Sequence, residues 1–253
     1  MTSDHQSKRI LITGASSGLG AEMARQLAAR GNDLALCARR TDRLGALREE
    51  ILAAHPDRRV EVKALDVNDH DQVFAVFRDF ASELGTIDRI VINAGLGKGA
   101  PLGTGKFEAN RETAMTNFVA ALAQSEAAME IFRAQGSGHL VMISSMSAMR
   151  GMPKNLTTYA ATKAGVAHLA EGLRMELHGK PIKVSVIYPG YIASEMNEGI
   201  PSTPLMVSTE KGVRAIVAAI EKEKASACVP PVPWAPMSVV MKHAPLTVLK
   251  RLI

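Results

Sequence analysis

The chain reads as an α/β protein: a doubly wound parallel sheet of about seven strands, with helices on both faces, in a single domain. Three observations predict this. Short apolar strand patterns alternate with helical patterns almost throughout, and parallel strands need such crossovers. Three glycines, Gly14, Gly18 and Gly20, fall between the first strand and the first helix. The other residues that could carry chemistry fall at the carboxyl ends of later strands, where open α/β sheets bind ligands.

The elements follow in order. Ile10–Ile12 is a short buried strand, and Leu19, Met23, Ala24, Leu27 and Ala28 share one face of a helix that Gly31 stops. Leu34–Ala38 is the second strand. Thr41 or Asp42 caps a helix with Leu44, Leu47, Ile51 and Leu52 inward. Val60–Leu65 is the third strand, and Asp69 or Asp71 opens a helix carrying Val73, Val76, Phe77 and Phe80. Asp88–Ile92 is the fourth strand, followed by a glycine-rich loop, Leu96–Gly105. A long helix spans Lys106–Ala134, and His139–Ser144 is the fifth strand. Thr157–His178 is helical, Ile182–Tyr188 is the sixth strand, Thr209–Lys224 is helical and Ala227–Val229 is a short seventh strand. Four prolines forbid a helix up to Pro236, after which the tail is apolar with Lys242, His243, Lys250 and Arg251 interspersed.

Composition excludes several classes. The 253 residues are 47% hydrophobic, enough for a sizeable core. The formal charge is +5, but the basic residues are scattered, with one Trp, three Tyr and six Phe. No basic stripe interleaved with stacking rings appears, so nucleic acid is not expected. Cys37 and Cys228 lie in apolar runs far apart and read as reduced core residues. No spacing suggests a metal site. Met1–Arg9 is polar and runs straight into a strand, and no uncharged apolar run spans a bilayer, so a soluble cytoplasmic protein is expected. The basic amphipathic tail could touch a membrane surface.

The glycine turn carries the first functional signal. Strand, GxxxGxG and helix form the context of a dinucleotide fingerprint: glycines let backbone approach a ligand, and the first N–H groups of the helix favour a pyrophosphate. After the second strand stand Arg39 and Arg40 and no acidic residue. An acid there would bond a free ribose 2′-hydroxyl, whereas arginine accommodates a 2′-phosphate, so NADP(H) is expected over NAD(H). Arg40 is the more open of the two to being a solvated helix-entry charge. Asp66 can accept from an adenine amino group with Val67 beside it, and Asn93-Ala94-Gly95 lets the chain lie against a cofactor while Asn93 ties strand ends together.

Tyr159 and Lys163 stand at i and i+4 on a helix and so share a face. A nearby ammonium, helped by an oxidised nicotinamide ring, favours a phenolate and lowers a phenol pKa, which fits Tyr159 for proton transfer near neutral pH. Ser144 and Ser145 end the fifth strand, where a hydroxyl can hold the same substrate oxygen.

Taken together the motifs resemble the short-chain dehydrogenase/reductase family, over roughly residues 8–229. They are TGASSGLG at Thr13–Gly20, ARR at Ala38–Arg40, DV at Asp66–Val67, NAG at Asn93–Gly95, Asn117, ISS at Ile143–Ser145, YAATK at Tyr159–Lys163 and YPGYIAS at Tyr188–Ser194. The spacing GxxxGxG and the short chain set aside the family's extended, epimerase-like members. The resemblance implies a Rossmann-like fold and hydride transfer between a nicotinamide and a carbonyl/alcohol pair. It makes Tyr159 the general acid/base, has Ser145 polarise the carbonyl, and has Lys163 hold the nicotinamide ribose and lower the Tyr159 pKa. Asn117 would anchor a water that relays protons to Lys163. Gly14, Ser16, Ser17, Gly18, Leu19 and Gly20 would line the pyrophosphate. Pro189, Gly190, Ile192 and Ser194 would border the nicotinamide, with Ile192 presenting backbone to the carboxamide. One residue more than usual separates Ser145 from Tyr159, which bulges the Met146–Pro153 loop and leaves Ser147 as an alternative serine.

Residues 195–207 read as a mobile apolar lid. Met146, Met149, Met152, Met196 and Met206 fall in loops that the resemblance places near substrate, with Tyr191 beside them. Methionine suits irregular apolar ligands, so a hydrophobic carbonyl or secondary alcohol is expected. The resemblance also implies a homodimer or homotetramer pairing through the two long helices. A cofactor-binding regulator without turnover and a membrane-peripheral, lipid-directed protein are the competing readings.

Overall fold

The computed structural model describes residues 7–197 and 205–249. Its elements are β1 (Arg9–Thr13), α1 (Gly18–Ala28), β2 (Asp33–Ala38), α2 (Thr41–Ala54), β3 (Val60–Ala64), α3 (His70–Leu84) and β4 (Arg89–Ile92). Then come α4 (Phe107–Ala114), a π turn (Met115–Val119), α5 (Ala120–Gln135), β5 (Gly138–Ile143), α6 (Thr157–Glu176) and β6 (Ile182–Pro189). The chain closes with α7 (Thr209–Glu221), β7 (Ser226–Val229), α8 (Pro231–His243) and α9 (Leu246–Leu249). All seven strands are parallel, in the order β3-β2-β1-β4-β5-β6-β7. The order reverses between β1 and β4, and the crevice beyond their carboxyl ends is where such a sheet takes a ligand.

The period of two along each strand sorts the core. Leu11 of β1 packs with Phe77 and Phe80 of α3, Phe132 of α5 and Val166 of α6. Ile10 and Ile12, pointing the other way, pack with Met23 and Leu27 of α1, Leu44 of α2 and Ile216 of α7. Each face of the sheet is covered, so the strands are buried on both sides.

The three glycines of the first turn do different work. Gly14 and Gly18 have positive φ, +65° and +52°, which side chains resist. Gly20 is needed for space: a Cβ there would stand 2.3 Å from the Gly14 carbonyl oxygen and 2.7 Å from Asn93 Nδ2. Gly20→Ala is therefore expected to destabilise the chain by about 1–3 kcal/mol through forced backbone movement. A denaturant midpoint equal to wild type would refute the clash.

Several element ends differ from the sequence reading. The N-cap of α2 is Arg40, not Thr41 or Asp42, and no side chain caps it. Asp69 caps α3 by accepting from the Gln72 N–H at 3.0 Å. The long helix is continuous but contains the π turn around Asn117. The tail forms α8 despite its prolines. Pro230 is its N-cap and Pro231 opens it, and Val232 is kinked out of helical geometry so that Pro233 starts the regular part after the kink, which leaves Pro236 as the proline inside the helix. Both cysteines are free, Cys37 buried and Cys228 half-buried. Among the described residues no helix is long and apolar enough to cross a membrane, and no group of three His, Cys, Asp or Glu is placed to hold a metal ion.

Candidate active site

One cleft of about 490 Å³ opens at the carboxyl ends of the strands. It is lined by Gly14, Ser16, Ser17, Gly18, Leu19, Arg39, Arg40, Asp66, Val67, Asn93, Ala94 and Gly95. The lining continues with Ser145, Met146, Met152, Tyr159, Lys163, Pro189, Gly190, Tyr191, Ile192, Ser194 and Met196. Of the residues expected from sequence, Gly20 and Asn117 stand behind the wall. Met149 does not line the cleft, and Met206 borders a separate shallow pocket with Glu22, Arg25 and Thr209. Ser194 borders both pockets, and Met206 lines only the second. Residues 198–204 of the expected lid lie outside the described residues. Its two ends are joined, with Ala193 N–H donating to the Val207 carbonyl at 2.9 Å and Val207 N–H to the Tyr191 carbonyl at 3.1 Å.

The floor is built from strand ends. Asn93 N–H and Ala94 N–H both donate to Thr13 Oγ1, at 3.1 and 3.2 Å, and Asn93 Nδ2 donates to the Thr13 and Gly14 carbonyls at 3.0 and 3.3 Å. Asn93 thus locks the end of β4 to the end of β1. The Asp66 carboxylate accepts from the Asn68 N–H at 3.0 Å, and Asn68 Nδ2 reaches Thr116 Oγ1 at 3.1 Å. Asn117 clasps the chain on the other side: its Oδ1 accepts from Leu96 N–H at 2.7 Å and its Nδ2 donates to the Leu96 carbonyl at 2.9 Å. A Cβ on Gly95 would stand 3.2 Å from Asn117 Oδ1 and 3.4 Å from Lys163 Nζ, so this glycine lets both groups approach one point.

Both arginines after β2 line the cleft, and Arg40 is the one that reaches the glycine turn. Arg39 is exposed, whereas Arg40 is half-buried. Arg40 donates through Nε to Ser16 Oγ at 3.2 Å and through a terminal nitrogen to Ser17 Oγ at 2.5 Å. Ser17 is the N-cap of α1, yet its side chain makes no capping bond. The first turn of α1 therefore faces the cleft with no side chain capping its N–H groups.

At the other end Tyr159, Ser145 and Lys163 meet. The Ser145 hydroxyl lies beside the Tyr159 phenol and favours its ionised form. Ser145 Oγ and Ser147 Oγ are 2.9 Å apart, and the Ser147 N–H donates to Ser145 Oγ at 3.1 Å. Lys163 Nζ lies 5.8 Å from the centre of the Tyr159 ring and donates to the Ile143 carbonyl at 3.0 Å. Burial pushes the Lys163 ammonium down to about 8. Burial also raises the Tyr159 pKa, and the Ser145 hydroxyl offsets part of that rise. Burial by the surrounding protein thus holds the phenol above its ordinary value. The Lys163 ammonium is itself tied to a backbone carbonyl.

Sequence reasoning missed several contributors. Trp234 and Met241, carried by α8, form part of the cleft wall, and Leu156, Asn68 and Thr116 also line it, while Glu195, the first residue of the expected lid, lines it too. Trp234 packs edge-on to Tyr191, ring centres 5.3 Å apart, and so close to Gly190 that a Cβ there would fall 2.0 Å from the indole. Trp234 is the single tryptophan of the chain, which was the one available signal.

A dinucleotide fits these walls. The glycine turn leaves room for backbone approach, the N–H groups of α1 and the Arg40 guanidinium supply positive charge, and Lys163 points an ammonium into the opposite end.

Comparison with known proteins agrees. The short chain dehydrogenase family model matches residues 8–205. An uncharacterized oxidoreductase of Mycobacterium tuberculosis is 54% identical over 244 residues, 96% of each chain. A short chain dehydrogenase from Burkholderia cenocepacia in complex with NADP is similar over 98% of both chains, with TM-score 0.82 and 23% identity. One from Burkholderia phymatum in complex with NAD covers 96% of this chain and 95% of its own, with TM-score 0.84 and 19% identity. The two structures share the fold and hold different cofactors. The match over most of the length and the relative alike over nearly all of it carry one conclusion: this chain belongs to the short-chain dehydrogenase family of oxidoreductases.

Proposed function

We propose that the chain transfers a hydride between NADP(H) and an apolar carbonyl or secondary alcohol, with Tyr159 as the general acid/base. The observation that carries this reading is the cluster of Tyr159, Ser145 and Lys163 at one end of a cleft whose other end is cationic. The bound nicotinamide supplies the hydride for reduction, or takes it up in oxidation. Gly14, Ser16, Ser17, Gly18 and Leu19 hold the pyrophosphate side, with Gly20 giving the turn its space. Asp66, Val67, Ala94 and Gly95 flank the adenosine and ribose, and Pro189, Gly190, Ile192 and Ser194 border the nicotinamide. Arg40, with Arg39 outside it, selects the 2′-phosphate.

Ser145 Oγ donates to the substrate oxygen and orients it against the Tyr159 phenol. In reduction, Tyr159 gives its proton to that oxygen as negative charge develops there. A raised phenol pKa keeps this proton in place at neutral pH. Lys163, still an ammonium at pH 7, stabilises the phenolate left behind and holds the nicotinamide ribose. Asn117 fixes Leu96 and the approach to Lys163, the side from which a water can return the proton.

The substrate end is walled by Met146, Met152, Leu156, Tyr191, Met196, Trp234 and Met241. These side chains carry no charge, which favours a neutral apolar substrate over a keto acid. Exposed Met115 and Leu122 on the long helix, and Met175 near the end of α6, support pairing of copies into a homodimer or homotetramer.

The effect of Ser145 on the Tyr159 phenol supports Ser145 over Ser147 in the serine role. Ser145→Ala is expected to lower kcat roughly a hundredfold, as loss of one donor to the developing oxyanion does. Ser147→Ala is expected to lower it by no more than about threefold, a loss of one supporting hydrogen bond. Steady-state oxidation of NADPH on a panel of apolar ketones and aldehydes tests both. Equal losses would return the serine role to Ser147.

A further inference from the structure

The mouth of the cleft holds an ionic contact that the proposed chemistry does not use. Arg40 at the start of α2 and Arg43 one turn later share a face of the helix. Arg40 donates a terminal nitrogen to Glu195 Oε2 at 3.1 Å, and Arg43 donates to the other oxygen, Oε1. Glu195 comes from the opposite wall, directly after Ser194. One carboxylate is thus gripped by two guanidiniums, while Arg40 also bonds the Ser16 and Ser17 hydroxyls. Two forked cations and two hydroxyls around one anion form the donor set that a phosphate group takes.

We propose that Glu195 is a resident anion in the subsite for the cofactor 2′-phosphate, which must displace it to bind, and that Arg43 is a ligand of that phosphate beside Arg40. This rests on the NADP(H) reading above. Both arginines hold Glu195 ionised, its carboxyl kept below the usual range chiefly by the hydrogen bond from Arg40 and then by that from Arg43. The ion pairs are exposed, with side chains 42–47% accessible, so they are weak and replaceable. A phosphate near charge −2 outcompetes a single carboxylate for the same donors. A cofactor with a plain 2′-hydroxyl leaves Glu195 where it is. Glu195 therefore lowers affinity for NADPH and not for NADH, and sets how far the chain separates the two.

The test is calorimetric titration of wild type, Glu195→Gln and Arg43→Met with NADPH, NADH and adenosine 2′,5′-bisphosphate. Glu195→Gln is expected to tighten NADPH and the bisphosphate by roughly three- to tenfold, the scale of two exposed ion pairs, and to leave NADH unchanged. Arg43→Met is expected to weaken NADPH and the bisphosphate by about tenfold, the scale of one charged hydrogen bond, again sparing NADH. If Glu195→Gln leaves NADPH unchanged or weakens it, Glu195 is not a competing anion. If Arg43→Met has no effect, Arg43 lies outside the subsite. Wild type that binds NADH as tightly as NADPH overturns the NADP(H) reading itself, whatever the variants do.

Discussion

Tyr159→Phe is expected to lower kcat by roughly a hundred- to ten-thousand-fold, the range for loss of a general acid. The substitution removes a single oxygen. The ring that Lys163 faces at 5.8 Å remains, as do the walls of the cleft. NADPH affinity is therefore expected to stay within about twofold of wild type, since no charged contact is lost. The pH dependence follows from the raised phenol pKa. Carbonyl reduction needs the protonated phenol, so its rate is highest on the acid side and falls as pH climbs toward that pKa. Alcohol oxidation needs the phenolate and rises over the same range. Single-turnover rates and NADPH titrations on both proteins check this. A variant that keeps a third or more of wild-type kcat would assign the proton to another group.

Lys163→Met is expected to lower kcat roughly a thousandfold, on the scale of losing preorganised charge at a developing anion, and at the same time to make the chain more stable. Lys163 is 6% exposed and its ammonium is pushed down to about 8 from 10.5 by burial. That shift corresponds to about 3 kcal/mol of cost for keeping the charged form folded at neutral pH. Methionine fills similar space without charge. Loss of the bond to the Ile143 carbonyl returns about 1–2 kcal/mol, so the net gain is about 1–2 kcal/mol. For a chain of this size the gain is about 2–8 °C in Tm at pH 7. The folded chain binds the lysine proton less tightly than the unfolded chain. Wild type thus gains stability as pH rises from about 8 toward 10.5. The variant has no such gain, so its advantage shrinks across that window. Thermal unfolding of both proteins at pH 7 and pH 10 checks the sign. A variant less stable than wild type at pH 7 would mean that the ammonium is not held at a cost.

The βα alternation made the sheet legible, because each strand is a short apolar run and each helix keeps its inward face. Gly14, Gly18 and Gly20 announced the crevice, and Asn93 announced its tie to β1, because each acts through local backbone. What stayed hidden depends on tertiary contact. Arg40 and not Arg39 meets the glycine turn, since the α2 entry aims only Arg40 at Ser16 and Ser17. The π turn at Met115–Val119 has no period of its own in the sequence. Helix α8 looked forbidden because its prolines were counted without placing Pro230 and Pro231 at the helix start and Pro233 just after a kink at Val232. With α8 hidden, Trp234 and Met241 could not be assigned to the cleft. The i, i+4 spacing of Tyr159 and Lys163 revealed a neighbouring charge but not how deeply both groups are buried, which pushes the phenol pKa up and the ammonium pKa down.

The most direct test uses NADPH carrying deuterium at the transferable position, mixed with wild-type protein and a panel of apolar ketones and aldehydes. Product alcohol is then examined by mass and NMR. Hydride transfer predicts one deuterium on the carbinol carbon for each NADPH oxidised, with a signal that collapses in Tyr159→Phe. NADPH that binds tightly but delivers no deuterium to any carbonyl, and NADP⁺ that takes none from the matching alcohols, would contradict the proposed reaction and leave a cofactor-binding regulator in its place.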